Sequence, residues 1–297
     1  MAIAPSFPGA KRVLRSASPY ALLFALILLL PLDGSVRRAQ DRLEGSDFIY
    51  VEGESWKIGE VRSYTLLFDR VPFGRETVRL LELRGDRAAR RLKFSQTLAL
   101  DLRALGQRGF LTFFSTVRYV KGKIPESYRV EGALQERAGY STYSQPGNQR
   151  RRTFLNLDLA TTPGRMTWDA GGESLEIALP PTAGLMLVDP LSMVHWERLF
   201  VGDTWKVGDT RSIDLLLPAG SARFDYHLEP FRPTPPVPRR VAASLTVEAR
   251  ETIEVFSVPI SSFRCLIPDL GLRLWVSSNG GILKVEDGRG LVILLER

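Results

Sequence analysis

An eleven-residue stretch, Gly53-Glu54-Ser55-Trp56-Lys57-Ile58-Gly59-Glu60-Val61-Arg62-Ser63, returns 149 residues later as Gly202-Asp203-Thr204-Trp205-Lys206-Val207-Gly208-Asp209-Thr210-Arg211-Ser212. Six positions are identical, and four exchange Glu for Asp, Ser for Thr or Ile for Val; only Val61 against Thr210 changes character. Each copy holds two glycines around a Trp-Lys-aliphatic triplet, with an acidic residue after each glycine and an apolar run beyond (64–68 and 213–217). Glycine permits the positive φ of tight turns, and Asp and Ser bond to nearby backbone there. The stretch therefore reads as turn, short strand, turn, long strand, used twice. Strand alternation puts Trp56 and Ile58 on one face and Lys57 on the other, and likewise Trp205 and Val207 against Lys206. Two readings stay open. Either a buried Trp anchors the start of a sheet twice, or Trp56 and Trp205 are paired platforms lining one cleft for an acyl chain or a sugar.

The first 39 residues divide as a secretory signal does: basic Lys11, Arg12 and Arg15, an apolar run from Tyr20 to Leu30, then Pro31, Leu32, Asp33 and Gly34. The run is short for a span, which needs roughly 20 residues. Neither Ala39 nor Gly34 gives a good cleavage site, so an uncleaved anchor stays open, with membrane contact through residues 11–32. Positive charge before the apolar run places the remainder outside the inner membrane, as a periplasmic or exported chain. Cys265 is the only cysteine, so a disulfide framework is excluded and an ordinary core must hold the fold. The net charge is +7, but residues 1–39 hold five basic residues against one acidic, which leaves +3 for the rest. With no nucleic-acid module, the cations at Arg87, Arg90, Arg91 and Lys93, at Arg150 to Arg152, and at Arg239 and Arg240 read as solvated faces. Attraction to anionic lipid or polysaccharide is the alternative.

Apolar runs bounded by turn residues predict strands over 63–68, 77–83, 91–100, 109–120, 128–131, 153–157, 165–168 and 175–179, with a hairpin turn at Val71-Pro72-Phe73-Gly74 and a loop over 135–152. A helix is predicted over Pro190 to Phe200, capped by Asp189, with Leu191, Val194, His195 and Leu199 facing the sheet. Five prolines make 229–240 an extended connector. Strands follow at 241–249, 252–256, 263–267, 272–276, 281–285 and 291–295, with turns at Gly280-Gly281 and Asp287-Gly288. The fold class is mainly β: an antiparallel meander forming a curved or half-open β structure, with one short helix near 190–200. It is divisible into lobes over 40–198 and 199–297 or continuous through both.

No catalytic signature emerges. His195 and Glu197 lie on different helix faces, His227 stands alone in a strand pattern, and no set of metal ligands converges. Ser55 and Ser174 each lack the second glycine of a nucleophile elbow, and Cys265 lies between apolar strand residues as a buried thiol. Neither a cofactor nor a metal is implied. Carboxylates acting as a glycosidase pair stay open, since their separation is not visible in a sequence.

The run Tyr64-Thr65-Leu66-Leu67-Phe68 through Phe73-Gly74, with the later Glu251 to Val255, Phe263-Arg264-Cys265, Trp275-Val276-Ser277 and Gly281 to Glu286, resembles a family of exported bacterial proteins of unknown function. The resemblance covers residues 50–297. It implies a half-open β structure similar to envelope lipoprotein carriers, with an apolar concavity and no reaction. The leading expectation is a non-enzymatic envelope protein binding an apolar or amphiphilic ligand, such as a lipid or other envelope component, or a partner protein. The alternatives are a glycan-acting hydrolase using Asp and Glu, and a structural component of envelope assembly. The sequence leaves the oligomeric state unassigned.

Overall fold

The structure, a computed structural model, describes residues 47–51, 55–86, 89–106, 109–135, 150–161, 163–170, 173–179, 185–189, 191–218, 237–255 and 257–296. The amino-terminal segment over 1–39, His227 and most of the proline-rich connector lie outside them. The first strands are β1 (Phe48–Tyr50), β2 (Val61–Phe68), β3 (Val71–Arg84), β4 (Arg91–Asp101), β5 (Phe110–Val120), β6 (Ile124–Gln135), β7 (Arg150–Asp158), β8 (Arg165–Ala170), β9 (Glu173–Ala178) and β10 (Met186–Leu187). After the helix α1 (Met193–Arg198) come β11 (Thr204–Lys206), β12 (Thr210–Leu217), β13 (Arg239–Val255), β14 (Val258–Ile267), β15 (Leu272–Val276), β16 (Ile282–Glu286) and β17 (Leu291–Leu295).

Fifteen strands form one sheet that does not close, in the order β10-β12-β13-β14-β15-β16-β17-β2-β3-β4-β5-β6-β7-β8-β9; β1 and β11 pair separately. Every neighbour is antiparallel except β10 with β12. Among the described residues, the mainly β, antiparallel, open architecture with one short α-helix is as the sequence predicts. Residues 46–297 are one compact unit. Among the described residues no helix is long and apolar enough to cross a membrane.

Alternation sets the two faces. In β4, Leu92, Phe94, Gln96, Leu98 and Leu100 are buried, while Arg91, Lys93, Ser95 and Thr97 turn the other way. The buried face packs around α1, whose six residues are all buried. Side chains of α1 or of its N-cap Ser192 meet groups of β16, β2, β4, β5 and β6, and the backbone N–H of Met193 meets Glu76 of β3. From β16 to β6 a flat sheet would measure about 29 Å at ~4.8 Å per strand, whereas six helical residues span about 9 Å. The sheet meets the helix on all these strands only by curving around it.

The two copies of the repeat close the same turn, but the short strand expected in both forms only in the second, as β11 paired with β1; residues 55–57 of the first are not strand. Glu60 N–H donates to the Lys57 carbonyl (2.9 Å) and Asp209 N–H to that of Lys206 (3.0 Å), closing the same turn. Gly59 and Gly208 occupy it at φ +83° and +93°, which other residues rarely adopt. Their N–H groups donate to Leu80 of β3 and Val247 of β13, tying each turn to the strand that follows in its hairpin. The acidic side chain accepts from the lysine N–H in both, Glu60 at 2.8 Å and Asp209 at 2.9 Å. Trp56 and Trp205 are each 2 % exposed, and both lysines face solvent. The expectation that Ile58 and Val207 follow the tryptophans inward is corrected: they are 64 % and 48 % exposed. They sit in the turn itself, where strand alternation has already ended.

Other boundaries move for identifiable reasons. The first hairpin turns at Asp69 and Arg70, both at positive φ (47° and 68°), the two-residue geometry whose twist suits antiparallel strands, and not at Pro72 to Gly74. Pro72 lies in β3 opposite Leu67, while β4 pairs with β3 only from Gly74 onward, so no neighbour asks for its missing N–H. Gly74 serves close approach: a Cβ there would stand 2.6 Å from Leu100 Cδ2 and 2.9 Å from the Ala99 carbonyl. Arg150 to Arg152, expected in a loop, pair with Ala133 to Gln135 as the start of β7. The two strands expected over 241–256 are the single β13, kept continuous by a bulge between Val247 and Ala249. The helix is shorter than expected and starts after Ser192; Asp189 caps the turn before it, accepting from Leu191 N–H at 3.1 Å.

Candidate functional site

Charged and polar side chains on the buried face converge on α1 and the turn before it. Glu76 is 1 % exposed, Asp189 4 %, His195 0 % and Glu197 2 %. β3 positions Glu76 in the inward row with Val78 and Leu80, and its carboxyl accepts from Met193 N–H at 3.3 and 3.4 Å. Burial, with Asp189 and Glu197 nearby, holds this carboxyl well above the usual carboxylate range even though the Met193 N–H pulls the other way. Gln96 of β4 donates to Ser192 Oγ and accepts from Ser115 Oγ of β5 (2.6 Å), joining two strands to the residue that begins the helix.

Asp189 accepts from the Tyr128 hydroxyl of β6 at 2.7 Å, and its N–H donates to His195 Nδ1 at 2.9 Å. That bond fixes the neutral tautomer with the proton on Nε2. Nε2 is buried with no hydrogen-bond partner, and the ring stands edge-on to Tyr128 at 5.0 Å. Burial lowers the His195 pKa to about 4; Asp189 opposes the shift and Arg198 adds to it. Glu197, on another side of α1, accepts from Trp56 Nε1 (2.6 Å), Arg62 Nη1 (2.7 Å) and Ile282 N–H (3.4 Å), and forms an ion pair with Arg198 Nη2 at 3.7 Å.

Glu76, Gln96, Ser115, Tyr128, Asp189 and Ser192 line a pocket of about 20 Å³, completed by Leu98, Phe113, Val130 and Leu191. That volume admits about one water. The pocket brings together two carboxyl groups, one held above the usual carboxylate range, beside a phenol and two hydroxyls. Chemically it can hold a water or pass a proton over a short distance; it has no room for a sugar ring or an acyl chain.

The residues singled out from sequence lie nearby or elsewhere. Trp56 joins the network through Glu197 and meets Phe94 edge-on at 5.3 Å. Trp205 stacks edge-on with Phe200 at 5.8 Å, and Arg211 lies over its ring at 4.2 Å. Cys265 is buried, and burial pushes its thiol up, with Glu248 contributing. Glu76, Gln96 and Tyr128 escape a reading based on motifs, yet a signal exists: each is a polar residue on the inward row of an otherwise apolar strand. Glu197 and Arg198 are missed because a helix with one apolar face is expected to leave them in solvent.

No family model matches this sequence, and no curated protein matches it. Among solved structures, the chain is similar to one from Bacteroides fragilis described as a "putative exported protein with YmcC-like fold". The two are 10 % identical, the alignment covers 85 % of this chain and 99 % of that one, and the TM-score is 0.26.

Proposed function

We propose that this chain is a non-enzymatic protein of the cell envelope that binds an apolar or amphiphilic ligand or a partner protein, with its buried polar network serving to hold α1 inside the curved sheet. One observation carries the reading: each group able to do acid–base chemistry here is buried and committed to the frame. Glu76 takes the Met193 N–H, Asp189 the Leu191 N–H and the Tyr128 hydroxyl, His195 the Asp189 N–H, and Glu197 the Ile282 N–H with Trp56 and Arg62. Buried polar groups bonded in this way favour one arrangement of helix on sheet, with His195 Nε2 left without a partner. The envelope setting rests on the basic-then-apolar order of residues 11–30.

A hydrolase is the second reading, since Glu76 and Asp189 line one pocket and the Glu76 carboxyl is held above the usual carboxylate range; at about 20 Å³ that pocket admits no sugar ring, so this reading requires it to open. One experiment separates the two. Protein recovered from native membranes is extracted and its lipids identified by mass spectrometry, for wild type and for Glu76→Gln and Asp189→Asn. A retained amphiphile in all three supports binding. No enriched amphiphile, together with a glycan-cleaving activity lost in both variants while the fold persists, overturns it.

A further inference from the structure

The face of the sheet turned away from α1 carries an unusual arrangement of charge. Toward the ends of β3–β6 that meet the turns at Gly85 and Lys121, it presents Arg79, Arg84, Arg91, Lys93, Arg118 and Arg129. Five of the six are exposed and Lys93 is half-buried. The register sets Arg84 directly opposite Arg91, and Lys93 directly opposite Arg118. Like charges so placed, with Cβ atoms roughly 5 Å apart, destabilise a sheet. The countercharge nearby is Glu82, which the register sets directly opposite Lys93, Glu131 two residues from Arg129 on β6, and Asp86 at the turn, three acids against six cations. Glu82 pairs with Arg84 at 3.6 Å, and among the described residues the other five cations make no ion pair. Two aliphatic side chains stand exposed at the same end, Leu81 at 39 % and Ile124 at 41 %.

We infer that this face docks onto an anionic lipid surface. Five cations without partners, spread over four strands about 15 Å wide, match the phosphates of adjacent headgroups better than a single small anion. The aliphatic pair decides between polymers and membranes: Leu81 and Ile124 gain from entering the headgroup–acyl boundary, whereas an anionic polysaccharide uses only the cations. The inference deepens the binding proposal by naming a membrane surface as partner, and rests on that proposal for its envelope setting. It is independent of any amphiphile held one-to-one, so the lipid-extraction result and the vesicle result fail separately.

The test uses the intact chain with vesicles of phosphatidylcholine alone or mixed with phosphatidylglycerol, read by co-sedimentation. Each basic residue near such a surface contributes roughly fivefold to partitioning, so Lys93→Gln with Arg118→Gln should lower binding to the anionic vesicles about 25-fold. Residues 1–39 are the same in both proteins, so the difference isolates the sheet. Ile124→Ser should weaken anionic binding by a smaller factor, and 0.5 M salt should remove most of the preference. Folding is checked by thermal melting, where relief of the like-charge pair should leave the midpoint unchanged or raised. Equal partitioning to neutral and anionic vesicles, wild-type binding by the double variant, or capture by an anionic polysaccharide without vesicle binding would each overturn the inference.

Discussion

The two copies of the eleven-residue repeat share every backbone bond that closes their turns and differ in what their tryptophans and arginines touch. In the first, Trp56 and Arg62 both donate to Glu197, and Arg62 is 15 % exposed. In the second, Trp205 Nε1 is buried without a hydrogen-bond partner, and Arg211, 39 % exposed, reaches Asp203 and Asp209 at 3.6 Å on the surface. Stacking of arginine on tryptophan is common to both, at 3.9 and 4.2 Å. One sequence device thus serves two ends: the first copy is coupled through Glu197 to the helix inside the sheet, and the second pairs as β11 with β1 and reaches Lys123 through Asp203. The repeat encodes the turn and the stacking, while a residue outside it, Glu197, close in sequence to the second copy but bonded to the first, makes the copies unequal.

The sharpest way to break this inequality is to remove the shared carboxylate. Glu197→Ala leaves the Arg62 guanidinium and the Trp56 N–H without their buried partner and should cost about 3 to 5 kcal/mol in chemical denaturation. Smaller, and with a stated sign, is the effect of acid. His195 has a folded pKa of about 4 against roughly 6.5 unfolded. The stability it contributes by staying neutral is present above pH 6.5 and is lost as pH falls toward 4. Between pH 7.5 and 4.5 wild type should lose about 2 to 3 kcal/mol that His195→Gln does not lose, measured by urea unfolding at both values.

Glu76, whose folded pKa is raised, acts in the opposite sense: it opposes folding increasingly as pH rises above the usual carboxylate range. Glu76→Gln should therefore flatten the upper part of the same profile, and an unaltered profile would count against a raised pKa at Glu76.

A finer test exchanges each indole for a phenyl ring. Trp56→Phe loses the hydrogen bond to Glu197 and should cost about 1 to 2 kcal/mol more than Trp205→Phe, which removes an unpartnered N–H; equal costs would erase the distinction. The smallest expected effect is at the surface, where Arg211→Ala should cost no more than about 1 kcal/mol, while Arg62→Ala costs several times as much.

Much of this architecture was legible because it rests on local chemistry. The glycines at 59 and 208, the acids at 60 and 209 and the aromatic positions 56 and 205 imply turn, anchor and strand wherever they occur together. The first hairpin was misplaced because Pro72 and Gly74 carry the usual turn signals but serve an unpaired position and a close strand approach, while the turn falls on Asp69 and Arg70. Glu76 looks like any surface acid until β4 and α1 are set beside β3. Its environment is built from residues 96, 115, 128, 189 and 192, and no window of sequence contains them together. The all-round burial of α1 has the same origin, since six residues show no period that separates an outer face when the sheet curves around them.

The seam between β17 and β2 has a further consequence for the order in which the molecule is made. It pairs Leu291 with Phe68 and Leu295 with Tyr64, and Glu296 N–H then donates to the Ser63 carbonyl. During synthesis β2 to β9 emerge early and can form hairpins, but the flank of β2 facing β17 must wait for nearly all the rest of the chain. Until then β2 offers a row of bare N–H and C=O groups to any passing strand, and β16 does the same once made. The last join in the sheet is therefore also its protection, and a chain halted before residue 291 would carry two open edges, at β2 and β16, in addition to those at β9 and β10.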